Sequence, residues 1–178
     1  MSRAANLFLL LPLSGMLPAA ALADFSTGFG SVDLQGSILE TPCTIDTDSR
    51  DQSIDMGTIS IGEIARSGRS VAKPFSIRLI NCHLHRIDAA LSDWQYFEVT
   101  FDGKRDGDFI GIEGDAEGIA LQVNDELGNV AQPGIPLPSV ILTSGEKTLN
   151  YSLYLVPNYQ KFRSGKYRTT VRFKMDYY

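Results

Sequence analysis

The sequence predicts an all-β protein, a β-sandwich built as one domain. Three observations lead there. Apolar and polar residues alternate with period two in several short runs, the pattern of strands with one buried and one wet face. Gly and Pro punctuate the gaps, as in Gly134-Ile135-Pro136-Leu137-Pro138. No stretch keeps a helical period long enough to specify a substantial helix. Short strands with turn signals at this spacing point to a sandwich.

The chain opens with a secretory signal peptide at residues 1–23. Arg3 supplies the positive start, Leu7 to Met16 is mostly apolar, and Ala21-Leu22-Ala23 gives a small-x-small cleavage site. The apolar run is too short and too interrupted by proline for a membrane span, and no later segment approaches ~18 uninterrupted apolar residues. The processed chain is therefore expected to begin at Asp24 and to be exported. Its roughly 155 residues suit one domain with a sizeable core. Processing removes one Arg and no acid, which takes the formal charge from −5 to −6. An acidic chain without a basic cluster argues against a nucleic-acid partner.

An N-terminal segment follows, residues 24–41. Gly30, Val32, Leu34, Gly36 and Ile38 alternate with Ser31, Asp33, Gln35 and Ser37. This is a strand pattern that precedes the first cysteine and the turn signal Thr41-Pro42. Two readings stand equally: a first strand in the chain's own sheet, or a strand offered to another molecule.

Residues 42–178 form the predicted domain. It holds both cysteines of the chain, Cys43 and Cys82. In an oxidising compartment two cysteines pair, and closing a loop of this length is worth about 4 kcal/mol in the chain-entropy model. Cys82-His83-Leu84-His85 also places metal-ligand types together. A structural zinc site needs four ligands, and only Cys43 is left to complete the set. His83 and His85 are instead expected on a solvated loop.

The strands follow in order. Phe75, Ile77, Leu79 and Asn81 alternate with Ser76, Arg78, Ile80 and Cys82. Phe97, Val99 and Phe101 form a second, closed by the turn Asp102-Gly103. Ile119, Leu121 and Val123 form a third, before the turn-rich Asn124 to Asn129. Leu149, Tyr151, Leu153 and Leu155 form a fourth, stopped at Pro157-Asn158. Shorter candidates lie at Ile54–Met56 and Val140–Leu142. The last run is the cleanest. Tyr167, Thr169, Val171, Phe173, Met175 and Tyr177 alternate with polar or charged residues. A strand with a wholly apolar face needs a cover, and its edges need backbone partners. No further strand follows Tyr178 in this sequence to supply one, so a partner from elsewhere is expected.

Catalytic patterns are thin. There is no Gly-x-Ser-x-Gly elbow, no His-Glu-x-x-His and no phosphate loop. A hydrolase would have to work through His83 or His85, and nothing beside them favours it. Asp102 to Asp108 briefly resembles a calcium loop, but Lys104 stands at a ligand position and Glu113 falls one residue early. Glu113, Asp115 and Glu117 read as a solvated loop. The expectation is no enzyme, no metal and no cofactor.

Several stretches together carry a resemblance to a known family. They are V-D-L-Q-G-S-I before the first cysteine, T-P-C-T-I-D around Cys43, F-S-I-R-L-I-N-C ending at Cys82, G-I-A-L-Q-V-N-D at Gly118–Asp125, and a last strand with Gly165 fourteenth from the end and Tyr177 penultimate. The chain resembles the pilin subunits of chaperone–usher fimbriae. That resemblance implies an incomplete immunoglobulin-like β-sandwich lacking its seventh strand. It implies a groove beside the last strand, edged by Gly165, Tyr167, Val171, Phe173, Met175 and Tyr177, with the Tyr178 carboxylate as an anchor for basic chaperone residues. It implies a donor strand in which Val32, Leu34, Gly36 and Ile38 fill a neighbour's groove. The implied partners are a periplasmic pilus chaperone, an outer-membrane usher and neighbouring pilin subunits, and the implied destination is a fimbrium at the outer cell surface. Ile54–Gly57, Val99–Arg105 and Leu127–Gly134 are most similar to the minor subunit that terminates and anchors P-type pili, with a rod or adaptor subunit as the alternative. A self-complete secreted β-sandwich that binds a ligand is the reading from outside the family.

Overall fold

The structure is a computed structural model, and it describes residues 30–178. The expected signal peptide at 1–23 and the start of the N-terminal segment lie outside the described residues. Two units are distinguished, with the division between Ser37 and Ile38. In the first, residues 30–37 form no helix or strand and are exposed. The second, Ile38–Tyr178, holds every regular element among the described residues.

Its elements are β1 (Thr44–Ile45), α1 (Thr47–Arg50), α2 (Ile61–Ser67), β2 (Lys73–Cys82), β3 (Tyr96–Asp102), β4 (Arg105–Asp106), β5 (Phe109–Gly111), β6 (Glu113–Gly114), β7 (Ile119–Asp125), β8 (Val130–Ala131), β9 (Val140–Ile141), β10 (Gly145–Pro157), β11 (Tyr167–Arg168) and β12 (Arg172–Tyr177). The larger sheet runs β1-β2-β10-β7-β5-β4, with β8 on β7. A second sheet runs β12-β3-β9, and β11 pairs with β6. All the named strand pairs are antiparallel. The core takes residues from both main sheets, including Ile77, Leu79, Phe97, Phe101 and Leu155. An aromatic cluster ties them together: Phe101 of β3 lies 4.9 Å from Tyr151 of β10 and 6.2 Å from Phe75 of β2. Edge-to-face contacts of this kind add to the area they bury.

The four main inner strands form where the alternation places them. In β10 the side chains of Leu149, Tyr151, Leu153 and Leu155 are buried, with more exposed residues between. The strand ends at Pro157, which lacks a donor to continue the ladder. Val140–Ile141 forms the short strand expected there. Two short helices arise where no long helical period exists. The Asp46 side chain caps α1 by accepting from the Asp48 amide at 3.1 Å. Gly68 ends α2 in the left-handed region and returns its amide to the Ile64 carbonyl.

Three expectations require correction. Strict alternation puts Asn81 on the buried face of β2 and Cys82 on the outer one. The structure reverses both: Asn81 is exposed and Cys82 is buried. The cause is a bulge. Asn81 adopts φ +53°, and the pairing to β10 slips between Lys147↔Leu79 and Gly145↔Cys82. One extra residue flips the pleat, and Cys82 meets Cys43 in a disulfide. Second, Ile54–Met56 keeps a strand's alternation, with Ile54 and Met56 half-buried around an exposed Asp55, yet joins no ladder. Third, the run from Tyr167 to Tyr177 is not one strand: β11 pairs with β6, β12 pairs with β3, and residues 169–171 lie in neither. Residues 30–38, read either as a first strand of the chain's own sheet or as a strand offered to another molecule, belong to no sheet among the described residues.

Candidate functional site

A cavity of about 820 Å³ opens on one side of the sandwich. Its floor is apolar: Phe75, Phe101, Leu121, Leu153, Leu155 and Phe173. Residues 49–59 line one wall, and residues 165–171 line the other. The 165–171 wall is tied down, with β11 paired to β6 and the Lys166 carbonyl accepting from the Asp115 and Ala116 amides. Residues 53–59 and β12, which continues from the 165–171 wall, leave backbone without a described strand partner. Residues 53–59 make no backbone–backbone hydrogen bond among the described residues. β12 pairs with β3 along one edge and with no described strand along the other. Backbone polar groups beside an apolar cleft need partners. An extended chain in the cleft would supply both hydrogen bonds and apolar side chains.

The sequence explains each wall. Along the C-terminal run through β11 and β12, Tyr167, Thr169, Val171, Phe173, Met175 and Tyr177 are half-buried, and Lys166, Arg168, Thr170, Arg172 and Lys174 are exposed. Asp176 departs from the alternation. It is half-buried and pairs with Lys174 at 2.8 Å, which raises the Lys174 pKa. None of the apolar residues on this face is fully buried, although each packs against the core. Phe173 lies 6.3 Å from Phe101. Burial pushes up the phenol pKa values of Tyr167 and Tyr177, so both stay neutral at physiological pH. The wall starts at Gly165. A Cβ there would stand 2.6 Å from the backbone of Asp115, so glycine lets this segment lie against residues 115–116. Gly165, Tyr167, Val171 and Phe173 line the cavity. Met175 and Tyr177 lie farther along the strand, against the core. The Tyr178 main-chain oxygen accepts from the Gln95 and Tyr96 amides at 2.7 and 3.1 Å.

No family model matches the chain. It is 33% identical over 150 residues to the PRS fimbrial minor pilin protein of Escherichia coli, covering 83% of this chain and 77% of the relative. This chain belongs to the chaperone–usher fimbrial pilin family. The pilin superposes on a subunit in the structure of a chaperone–usher pilus with a TM-score of 0.67, at 25% identity, covering 85% of this chain and 96% of that one. The P pilus rod subunit PapA shares its fold, with a TM-score of 0.68 at 23% identity over 78% of this chain and 100% of that one. The fold is therefore the immunoglobulin-like sandwich of pilins, and the role is structural. The family's members are fimbrial building blocks and not enzymes.

The remaining expected positions are placed as follows. In the pilin, Val32 and Leu34 are 84% and 91% exposed, and Ile38 is fully so. Gly36 has no atom within 4 Å of a built Cβ. His83 and His85 are exposed, and His85 Nδ1 lies 3.0 Å from Asp93 Oδ1. Among the described residues no His, Cys, Asp and Glu cluster has metal-site geometry. The acidic run at 102–108 is a hairpin turn: Arg105–Asp106 pairs with Phe109–Gly111 across Gly107 at φ +62°. Glu113 pairs with Arg168 in β6–β11, and Glu117 forms an ion pair with Arg163 at 2.9 Å. Sequence reasoning missed the wall at residues 49–59. Its signal was present in the half-buried Ile54, Met56 and Ile59, but the short apolar run had no visible partner.

Proposed function

We propose that this pilin is a minor structural subunit of a chaperone–usher pilus that works by strand addition in both directions. The apolar cavity, with backbone along residues 53–59 and along the outer edge of β12 unpaired among the described residues, carries the reading. An incoming strand completes the sandwich by hydrogen-bonding beside β12, and its alternate side chains enter the apolar floor. A periplasmic chaperone fills the cleft first, and assembly takes place at an outer-membrane usher. Residues 24–41 form the arm that the subunit offers onward, after the signal peptide at 1–23 has directed export. In that arm Val32, Leu34 and Ile38 fill a neighbour's floor, and Gly36 meets a shallow position. Burying three aliphatic side chains gives roughly 5–9 kcal/mol gross, before ordering costs. The assembled fibre stands at the outer cell surface.

The finer assignment is the base terminator, which donates its arm but takes no further subunit. Identity to a minor pilin supports it. A rod or adaptor subunit is the second reading, favoured by a cavity that stays accessible as far as Gly165 and Lys166. One experiment addresses both levels. The chaperone-bound subunit is mixed with a peptide copying a rod subunit's arm. Exchange identifies an acceptor, and stalling identifies a terminator. If the mature chain expressed without chaperone is a stable monomer whose groove needs no strand, the proposal is overturned. Deleting residues 24–39 is expected to leave chaperone binding intact and to exclude the subunit from fibres.

A further inference from the structure

The described chain changes character at Glu40. On its N-terminal side, residues 30–39 make no backbone–backbone hydrogen bond among the described residues, and Ile38 and Leu39 are exposed. From Glu40 onward the chain is fastened at Glu40, Pro42 and Cys43. The Ile87 amide donates to Glu40 Oε1 at 2.7 Å, and Arg86 Nη2 lies 3.5 Å from Glu40 Oε2. The His83 amide donates to the Pro42 carbonyl at 2.8 Å, and Cys43 is bonded to Cys82. The partner loop is itself held. The Arg86 guanidinium lies 3.9 Å above the Trp94 ring, Trp94 is nearly buried, and its amide donates to the Leu84 carbonyl at 2.9 Å. Trp94 then meets Tyr177 of β12 edge-on, with ring centres 6.2 Å apart.

Stability alone does not account for the pair. Glu40 and Arg86 expose only 30% and 26% of their side chains, and Arg86 Nε is buried without a partner. A partly desolvated pair at this distance contributes little net stability. It does fix direction, because the carboxylate is gripped at both oxygens and the guanidinium is pinned to an aromatic face. On the strand-donation reading above, we propose that Glu40 and Arg86 are positioning residues that clamp the root of the donor arm. The clamp fixes the residues from which the arm departs and so limits the spread of angles between this subunit and the one that receives its strand.

The test uses a two-subunit complex. The acceptor is a rod pilin of the same pilus with its own arm deleted and supplied on its chaperone. The donor is the full mature chain, unaltered or carrying E40A, E40Q or R86K. Small-angle X-ray scattering reads the spread of inter-subunit angles, and the thermal midpoint of each donor–chaperone complex is read in parallel. The unaltered donor is expected to give one narrow distribution. E40A loses that single narrow population at an unchanged thermal midpoint, and E40Q, which keeps an acceptor for the Ile87 amide, restores much of it. R86K, which keeps charge but loses the planar stack, broadens it like E40A and stands in for E40A if that variant is recovered poorly. A distribution in E40A and R86K equal to that of the unaltered donor overturns the clamp alone. Failure of the unaltered donor to enter any complex overturns the donation reading, and the clamp with it.

Discussion

Asn81 shows how one residue decides a covalent link. Its left-handed φ of +53° inserts the extra residue that turns Cys82 inward toward Cys43. Asn tolerates this conformation, and β-branched residues do not. Asn81→Val is expected to cost about 1–2 kcal/mol, seen as a lower thermal midpoint and more free thiol on quantitation. Asn81→Gly should leave both unchanged. Gly165 makes the opposite case, in which space and not φ is the constraint. A Cβ would collide with Asp115 backbone at 2.6 Å. Gly165→Ala is therefore expected to destabilise by about 1–3 kcal/mol, as overpacking does, and to lower the thermal midpoint of the chaperone-bound subunit. Both residues were visible in the sequence. Period-two counting put Asn81 on the wrong face, because a bulge leaves no mark in polarity. The position of Gly165 stood out only through family resemblance, and its physical reason lies in residues 115–116, some fifty positions away in the chain.

At the scale of elements, the last strand and the 53–59 segment differ in how they could be read. The alternation of Tyr167, Val171, Phe173, Met175 and Tyr177 with polar residues announces extended chain by itself, although the structure divides it into β11 and β12. Ile54, Met56 and Ile59 also face inward, but their segment has no ladder to define it. Together these two walls make the cleft, and Phe173 stands on its floor against Phe101. Phe173→Asp would place a carboxylate among apolar side chains, where an unpaired charge is costly. It is expected to abolish co-purification with the chaperone. Arg172→Asp, on the exposed face of the same strand, should retain it. Equal recovery of both variants would remove β12 from the binding site.

For the whole molecule, the buried tyrosines give a pH dependence with a definite sign. Burial raises the pKa values of Tyr151, Tyr167 and Tyr177, with nearby carboxylates adding to the effect at Tyr151 and Tyr167. An unfolded tyrosine ionises near pH 10, so the unfolded chain gains from deprotonation before the folded chain does. Their contribution is full below about pH 10 and is lost as pH rises further. The thermal midpoint should therefore hold to about pH 9.5 and fall above it. Tyr151→Phe should flatten that fall, and Tyr159→Phe, at a fully exposed site, should not.

The sequence by itself determined the all-β class, the four main inner strands, the paired cysteines and the apolar face of the last strand. Each of these is written in local periodicity or composition, and local signals survive without a fold. The tertiary structure alone decided which edges stay unpaired, how the floor of the cleft is assembled from β2, β3, β7, β10 and β12, and where the chain becomes fastened at Glu40. Those properties depend on residues far apart in sequence meeting in space, and no window of neighbouring residues contains them.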